Sequence, residues 1–229
     1  MRRLATHMHR LWVTDLALTA LLVFLLVHVF LLYPLAQTGS MKIATKIFFL
    51  LILITGAMAA SRNRLFRMLV FSGSLAGFVF IWMRDLFPYE TFLYLNNCLA
   101  LFFLGLLTFL ILAQAFRQGP TTSHRITGAV AGYLLLGLIW SQAYDLIALS
   151  IPGAFSVSGN PAPKDAETLQ SQLFYFSFVT LTTLGYGDIV AVHPMARTFA
   201  ILEGVIGQLF PAILISRLVS LHVQEKQKS

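Results

Sequence analysis

Between Thr180 and Asp188 the chain reads Thr-Leu-Thr-Thr-Leu-Gly-Tyr-Gly-Asp, a run of hydroxyl, glycine and tyrosine residues in a strongly apolar sequence. Gly185 and Gly187 flank Tyr186, and glycine takes up φ values that other residues resist, so successive carbonyls can all point the same way. Carbonyls aligned in that manner replace the water around a cation. The run is more than a glycine-rich turn before a helix, because apolar helical segments flank it on both sides, as a loop entering a membrane requires.

These nine residues closely resemble the signature of potassium channels, whose usual core is Thr-Val-Gly-Tyr-Gly; Leu184 stands where valine is commonest. The resemblance implies a selectivity filter at Thr183, Leu184, Gly185, Tyr186 and Gly187, repeated four times around one axis. In it the carbonyls from Thr183 to Tyr186 and the Thr183 hydroxyl take up dehydrated K⁺, with Thr182 as support. K⁺ is then the permeant ion, with no other cofactor. Tyr175 and Phe176 fall where many members carry paired aromatics, often two tryptophans that donate a hydrogen bond toward the filter. Phe176 has no donor and is read as packing, while Tyr175 stays open. Asp188 stands where the family usually has Asp, and four such carboxylates would ring the outer mouth and attract cations. The family's inner helix bends near a comparable glycine, which makes Gly207, with Pro211 beyond it, a candidate gating hinge. Close helix packing by Gly204 and Gly207 is the other reading of the same residues. The Pro-x-Pro pattern of voltage-gated relatives is missing, so their bend does not carry over.

Six apolar spans would position this loop: about Leu11–Tyr33, Ile43–Ala60, Leu65–Met83, Thr91–Phe116, Thr127–Leu149 and Ala196–Leu221. The first is read as a retained helix rather than a signal peptide, being long, carrying Asp15 and preceding further spans. Between the fifth and sixth, Ile151–Glu167 is rich in Pro and Gly and reads as an irregular outer turret. Gln170–Thr182 follows as a pore helix too short to cross a bilayer, its carboxyl end carrying about half a negative charge toward the filter. The break Arg117–His124, with Gly119-Pro120 and the potential caps Thr122 and Ser123, divides a four-helix domain, 1–120, from a pore domain, 121–229. About eight residues follow the last span, too few for a cytoplasmic ligand-binding domain.

The composition fits a membrane protein: 58% hydrophobic, 11% charged and a mean hydropathy of +0.79. The net charge of +7 is explained by topology rather than by nucleic-acid binding. With the amino terminus inside, eleven of the sixteen Lys and Arg residues lie in inner segments, which puts both termini in the cytoplasm and the filter loop outside. The single Cys98 reads as a packed helix residue, and no Cys/His cluster suggests a metal centre.

Two acidic residues sit at membrane depth, where a charge needs a partner or water. Asp145 either pairs with Arg197 or snorkels to the surface. Glu203 is placed behind the pore helix, protonated or hydrogen-bonded, with direct ion binding as the lesser alternative. His28 reads as a structural histidine. Between Arg84 and Arg117 there is no Lys or Arg, so the fourth span has none of the three or so charges per subunit that steep voltage gating needs, at about 2.3 kcal/mol per charge per 100 mV. The sequence therefore reads as an all-α, six-span, homotetrameric potassium channel in the cell membrane, contacting lipids, neither an enzyme nor steeply voltage-gated. The rival is a non-conducting membrane sensor or scaffold that uses the pore-like part only to assemble tetramers.

Overall fold

The computed structural model describes residues 16–32, 35, 42–60, 68, 72–73, 90–116, 123–163 and 165–226. Among them are helices α1 (Leu16–Leu32), α2 (Lys42–Ala60), α3 (Glu90–Ala115) and α4 (Ser123–Ser150), strands β1 (Phe155–Val157) and β2 (Asn160–Pro161), helix α5 (Ala166–Leu181), strand β3 (Ile189–Ala191) and helix α6 (Pro194–Lys226). Among the described residues three helical segments, Leu93–Ala115, Arg125–Ser150 and Pro194–Arg217, are long and apolar enough to cross a membrane; Leu16–Leu32 and Ile43–Ala59 are shorter apolar helices. The expected span Leu65–Met83 apart from residues 68 and 72–73, the basic residues from Arg2 to Arg10 and from Arg62 to Arg67, Asp15, Arg84, Arg117, Lys164, Lys228, and the boundary residues Gly119, Pro120 and Thr122 lie outside the described residues.

The chain divides into two compact units, one of Met1–Pro88 with Phe102–Leu134, the other of Tyr89–Leu101 with Leu135–Ser229. In the first, Leu21 and Leu25 of α1, Ile52 of α2, and Leu104 and Leu107 of α3 are fully buried. Phe24 meets Phe48 edge to face at 5.8 Å, and Gly56 lies against the Leu107 side chain, where its missing Cβ leaves room. α1 closes in a π-helical stretch, His28–Leu32, with His28 buried near the Phe49 ring.

In the second unit, the expected irregular turret is instead a small antiparallel sheet of order β2-β1-β3. Ser158 (φ 47°) and Gly159 (φ 79°) form a two-residue turn with both φ values positive, which matches the twist of the strands it joins, Val157 facing Asn160. β1 then pairs with β3, Phe155 opposite Ala191 and Val157 opposite Ile189, and the Ser158 amide donates to the Asp188 carbonyl at 2.6 Å. The chain leaving the 182–188 loop is thus fastened to the hairpin that precedes α5.

Helix α5 begins at Ala166, four residues before the expected start at Gln170, because Asp165 caps it. The Asp165 carboxylate accepts from the Thr168 amide at 3.0 Å and from the Thr168 hydroxyl at 2.7 Å. Asp165→Ala is expected to cost about 1 kcal/mol of stability, seen as a lower melting temperature of the purified protein; an unchanged melt would show that the cap contributes nothing.

Candidate functional site

The site grows out of the carboxyl end of α5. A helix leaves its last carbonyls without intrahelical donors, and here the following loop supplies them. The Thr182 amide donates to Phe178 O (3.1 Å), Thr183 to Thr180 O (2.9 Å), and Leu184 and Gly185 both to Val179 O (2.9 and 3.4 Å). Thr182 also turns its hydroxyl back to Phe178 O at 2.6 Å. The amides of Thr183, Leu184 and Gly185 are thus committed to the helix, and the carbonyls from Thr183 to Gly187 accept no backbone hydrogen bond among the described residues. Its side chains are all exposed.

The backbone follows the glycine pattern and extends it. φ is positive at Thr183 (60°), Gly185 (54°) and Gly187 (79°), with Leu184 and Tyr186 between them on the ordinary side. Such alternation gathers successive amides toward one side of the chain and carbonyls toward the other. Thr183 is the position that glycine spacing does not reveal. It occupies the left-handed place just after a helix end, where glycine or asparagine is usual, and a β-branched residue there is strained. Strained residues of this kind persist where their surroundings hold them, and the Thr183 amide bonded to Thr180 is one such hold.

The two aromatics of α5 have different surroundings. Phe176 is buried and packs edge to face on Tyr144 (5.0 Å) and on Phe155 (5.6 Å), which themselves meet at 5.6 Å, so α4, β1 and α5 share one aromatic cluster. Tyr175 is exposed beside Asp188; partial desolvation, then its interaction with the Asp188 carboxylate, raises its pKa above the ordinary phenol value. The Asp188 carbonyl is held by the Ser158 amide, and its side chain lies beside Tyr175.

Helix α6 runs unbroken through Pro211. A Cβ on Gly207 would stand 1.9 Å from the Leu181 carbonyl oxygen and 2.7 Å from its carbon, so α6 touches α5 backbone to backbone at the residue before the loop. At Gly204 the nearest atom, Thr180 O, would be 4.0 Å away. Close packing is the role visible at Gly207.

Asp145 and Arg197 each have another partner in place of the expected ion pair. Asp145 is buried and accepts from the Asn97 amide at 2.9 Å, while Arg197 Nε donates to Ala191 O at 3.1 Å. The physical reason is that the α3 segment beside α4 offers a neutral donor at membrane depth, with Tyr94 donating to Leu149 O one turn away (2.8 Å). Glu203 is completely buried against α5 and α4: Ser177 Oγ lies 2.6 Å from its Oε1, and the Tyr144 hydroxyl donates to its Oε2 at 2.5 Å. Sequence reasoning missed Asn97, Tyr144 and Ser177, although a hydroxyl or amide in an apolar helix is itself a sign of an interhelical partner. Cys98, expected to be packed, is exposed next to the buried Asn96 and Asn97.

Residues 133–224 match a family model described as ion channel. The chain is similar to Protein LctB of Bacillus caldotenax (32% identical over 90 residues, 39% of this chain and 66% of that protein). It is similar also to two pore potassium channel c of Oryza sativa subsp. japonica (39% over 88 residues, 38% of this chain and 17% of the relative). A third relative is the inward rectifier potassium channel Kirbac3.1 of Paramagnetospirillum magnetotacticum (32% over 101 residues, 42% of this chain and 28% of the relative). The chain thus spans just under two thirds of the first relative's length and much less of the two potassium channels. No solved structure matches it.

Proposed function

The chain belongs to the potassium channel family, and from that premise we propose that it conducts K⁺ passively down its electrochemical gradient as a homotetramer. The observation that carries this reading is the 183–187 loop, in which the amides of Thr183, Leu184 and Gly185 are spent on α5 while the carbonyls and the Thr183 hydroxyl remain for a cation. One chain supplies one such loop, and a ring of ligands needs four chains around an axis. α5 acts as the pore helix of a re-entrant segment, directing the negative end of its dipole toward the ion. Asp188, its carbonyl held by the Ser158 amide, adds a ring of carboxylates at the outer mouth.

The apolar residues that α6 leaves exposed, among them Ile201, Val205, Leu209 and Ile213, face neighbouring subunits and lipid in this assembly. The division into a four-helix region, 1–120, and a pore domain, 121–229, with six spans and both termini cytoplasmic, belongs to the same proposal. Voltage acts weakly, since Glu90–Ala115 carries no Lys or Arg.

The test is flux from liposomes holding the purified protein, with Ba²⁺ as the probe of the filter. Ba²⁺ is close to K⁺ in size and doubly charged, so it should lodge among the carbonyls and stop K⁺ flux. Thr183→Ala should weaken that block by about tenfold, the scale of one lost hydrogen-bond-sized ligand contact. A non-conducting scaffold would give no flux at all, and flux indifferent to Ba²⁺ would refute the carbonyl filter.

A further inference from the structure

Around Glu203 three oxygen–oxygen contacts are all of hydrogen-bonding length: Tyr144 hydroxyl to Oε2 at 2.5 Å, Ser177 Oγ to Oε1 at 2.6 Å, and Ser177 Oγ to the Gly137 carbonyl at 2.8 Å. Each needs one hydrogen between its oxygens, since two oxygens facing each other without one repel. Tyr144 and Ser177 have one hydroxyl hydrogen each, and a carbonyl has none. Two hydrogens cannot close three contacts. The third has to come from the carboxyl.

We infer that Glu203 is a neutral carboxylic acid that donates to Ser177 Oγ and so acts as the positioning residue of the filter, binding α5 to α4 and α6 at once. In the resulting chain the Tyr144 hydroxyl donates to Oε2, the Glu203 Oε1 hydroxyl donates to Ser177 Oγ, and Ser177 passes its own hydrogen to the Gly137 carbonyl. Every polar atom in the group then has a partner, as complete burial of Glu203 and Ser177 demands. An ionised carboxylate in the same place would leave one contact without its hydrogen and a charge among apolar rings, both of which cost stability.

The position of the hub explains what it does. Ser177 precedes by one to three residues the carbonyls of Phe178, Val179 and Thr180, from which the loop amides hang. Gly137 lets the Phe178 ring lie against α4, where an added Cβ would stand 2.6 Å from it, so α5 is seated on α4 at the same point. On the other side Glu203 and Gly207, one turn apart on α6, meet α5 at Ser177 and Leu181. The height and rotation of α5, and with them the loop carbonyls, are set by this hub together with the Gly207 contact. The role in positioning the filter rests on the channel reading; the protonation state does not.

Infrared difference spectroscopy of the purified protein tests the proposal. Wild type minus Glu203→Gln should show the carbonyl stretch of a protonated carboxylic acid, shifting in D₂O, and Ser177→Ala should move that band because the acceptor of the proton is lost. Glu203→Gln, whose amide can donate to Ser177 and whose carbonyl can accept from Tyr144, should keep K⁺ flux within about twofold, whereas Glu203→Leu should lose about tenfold or more, the scale of one buried hydrogen bond left unmade. A wild-type spectrum with no protonated-acid band assignable to Glu203, or a band indifferent to Ser177→Ala, overturns the neutral hub whatever the flux. Equal flux from Glu203→Leu and wild type overturns its positioning role. Absence of flux from wild type alongside the expected band would instead count against conduction and leave the neutral hub standing.

Discussion

Gly185→Ala and Gly187→Ala are each expected to abolish K⁺ flux while the protein still folds and assembles. Both glycines hold left-handed φ values, +54° and +79°, and an added Cβ at either meets nothing within 4 Å. The penalty is therefore conformational rather than a collision. An L-residue in the left-handed region costs about 1–2 kcal/mol, and a fourfold ring incurs that cost in every subunit, about 4–8 kcal/mol in all. At about 1.4 kcal/mol per tenfold, the conducting loop geometry loses a factor of about a thousand or more in population. Loop residues turned away from that geometry no longer present their carbonyls, yet the helices around them keep their packing. The check is K⁺ flux together with the oligomeric mass in detergent: wild-type flux from either variant would detach conduction from the alternating backbone.

Gly207→Ala is the second large effect, and its cause is the opposite one. Here the new Cβ would meet the Leu181 carbonyl at 1.9 Å, and the obstacle is backbone that cannot swing aside as a side chain can. Overpacking of this sort costs about 1–3 kcal/mol per site, and any relief moves Leu181, the residue from which Thr182 and the loop continue. Flux should fall by an order of magnitude or more, about what that energy implies, with a lower melting temperature. Gly204→Ala, whose Cβ would stand 4.0 Å from its nearest neighbour, Thr180 O, should behave like wild type in both measurements. A hinge at Gly207 with no packing role would lose flux without loss of thermal stability, so the melt separates the two explanations that the sequence left open.

The parts of the fold that were legible in advance are those where chemistry and local geometry coincide. A left-handed glycine beside an aromatic says what the backbone must do there, and the apolar run Thr91–Phe116 has one stable use, as helix α3. Short-range signals were present but weaker. Ser158-Gly159 between Phe-Ser-Val and Asn-Pro is a hairpin turn, but strands of three and two residues carry too little alternation to be read as strands. Asp165 with Thr168 is a helix cap that the neighbouring prolines obscured.

Contacts that join distant elements could not be read. Ser177 and Tyr144 reach Glu203 across 26 and 59 positions of the chain, and only the rotational setting of three helices brings their oxygens together. The same holds for Asp145. Its charge suggested Arg197, yet the donor that arrives is Asn97, 48 positions earlier, because burial favours a neutral amide already at that depth. Thr183 failed for a different reason: a β-branched residue is the last that propensity would assign to φ +60°, and the loop holds it there through hydrogen bonds donated by its amides to α5 carbonyls.

The central claim, a cation filter built of backbone carbonyls and selective for K⁺, is tested most directly by the reversal potential of single channels in planar bilayers with K⁺ on one side and Na⁺ on the other. The account predicts a current that reverses near the K⁺ equilibrium potential, with Na⁺ carrying no measurable share. A reversal potential unmoved when Na⁺ replaces K⁺, or folded and assembled protein that passes neither ion, would contradict it.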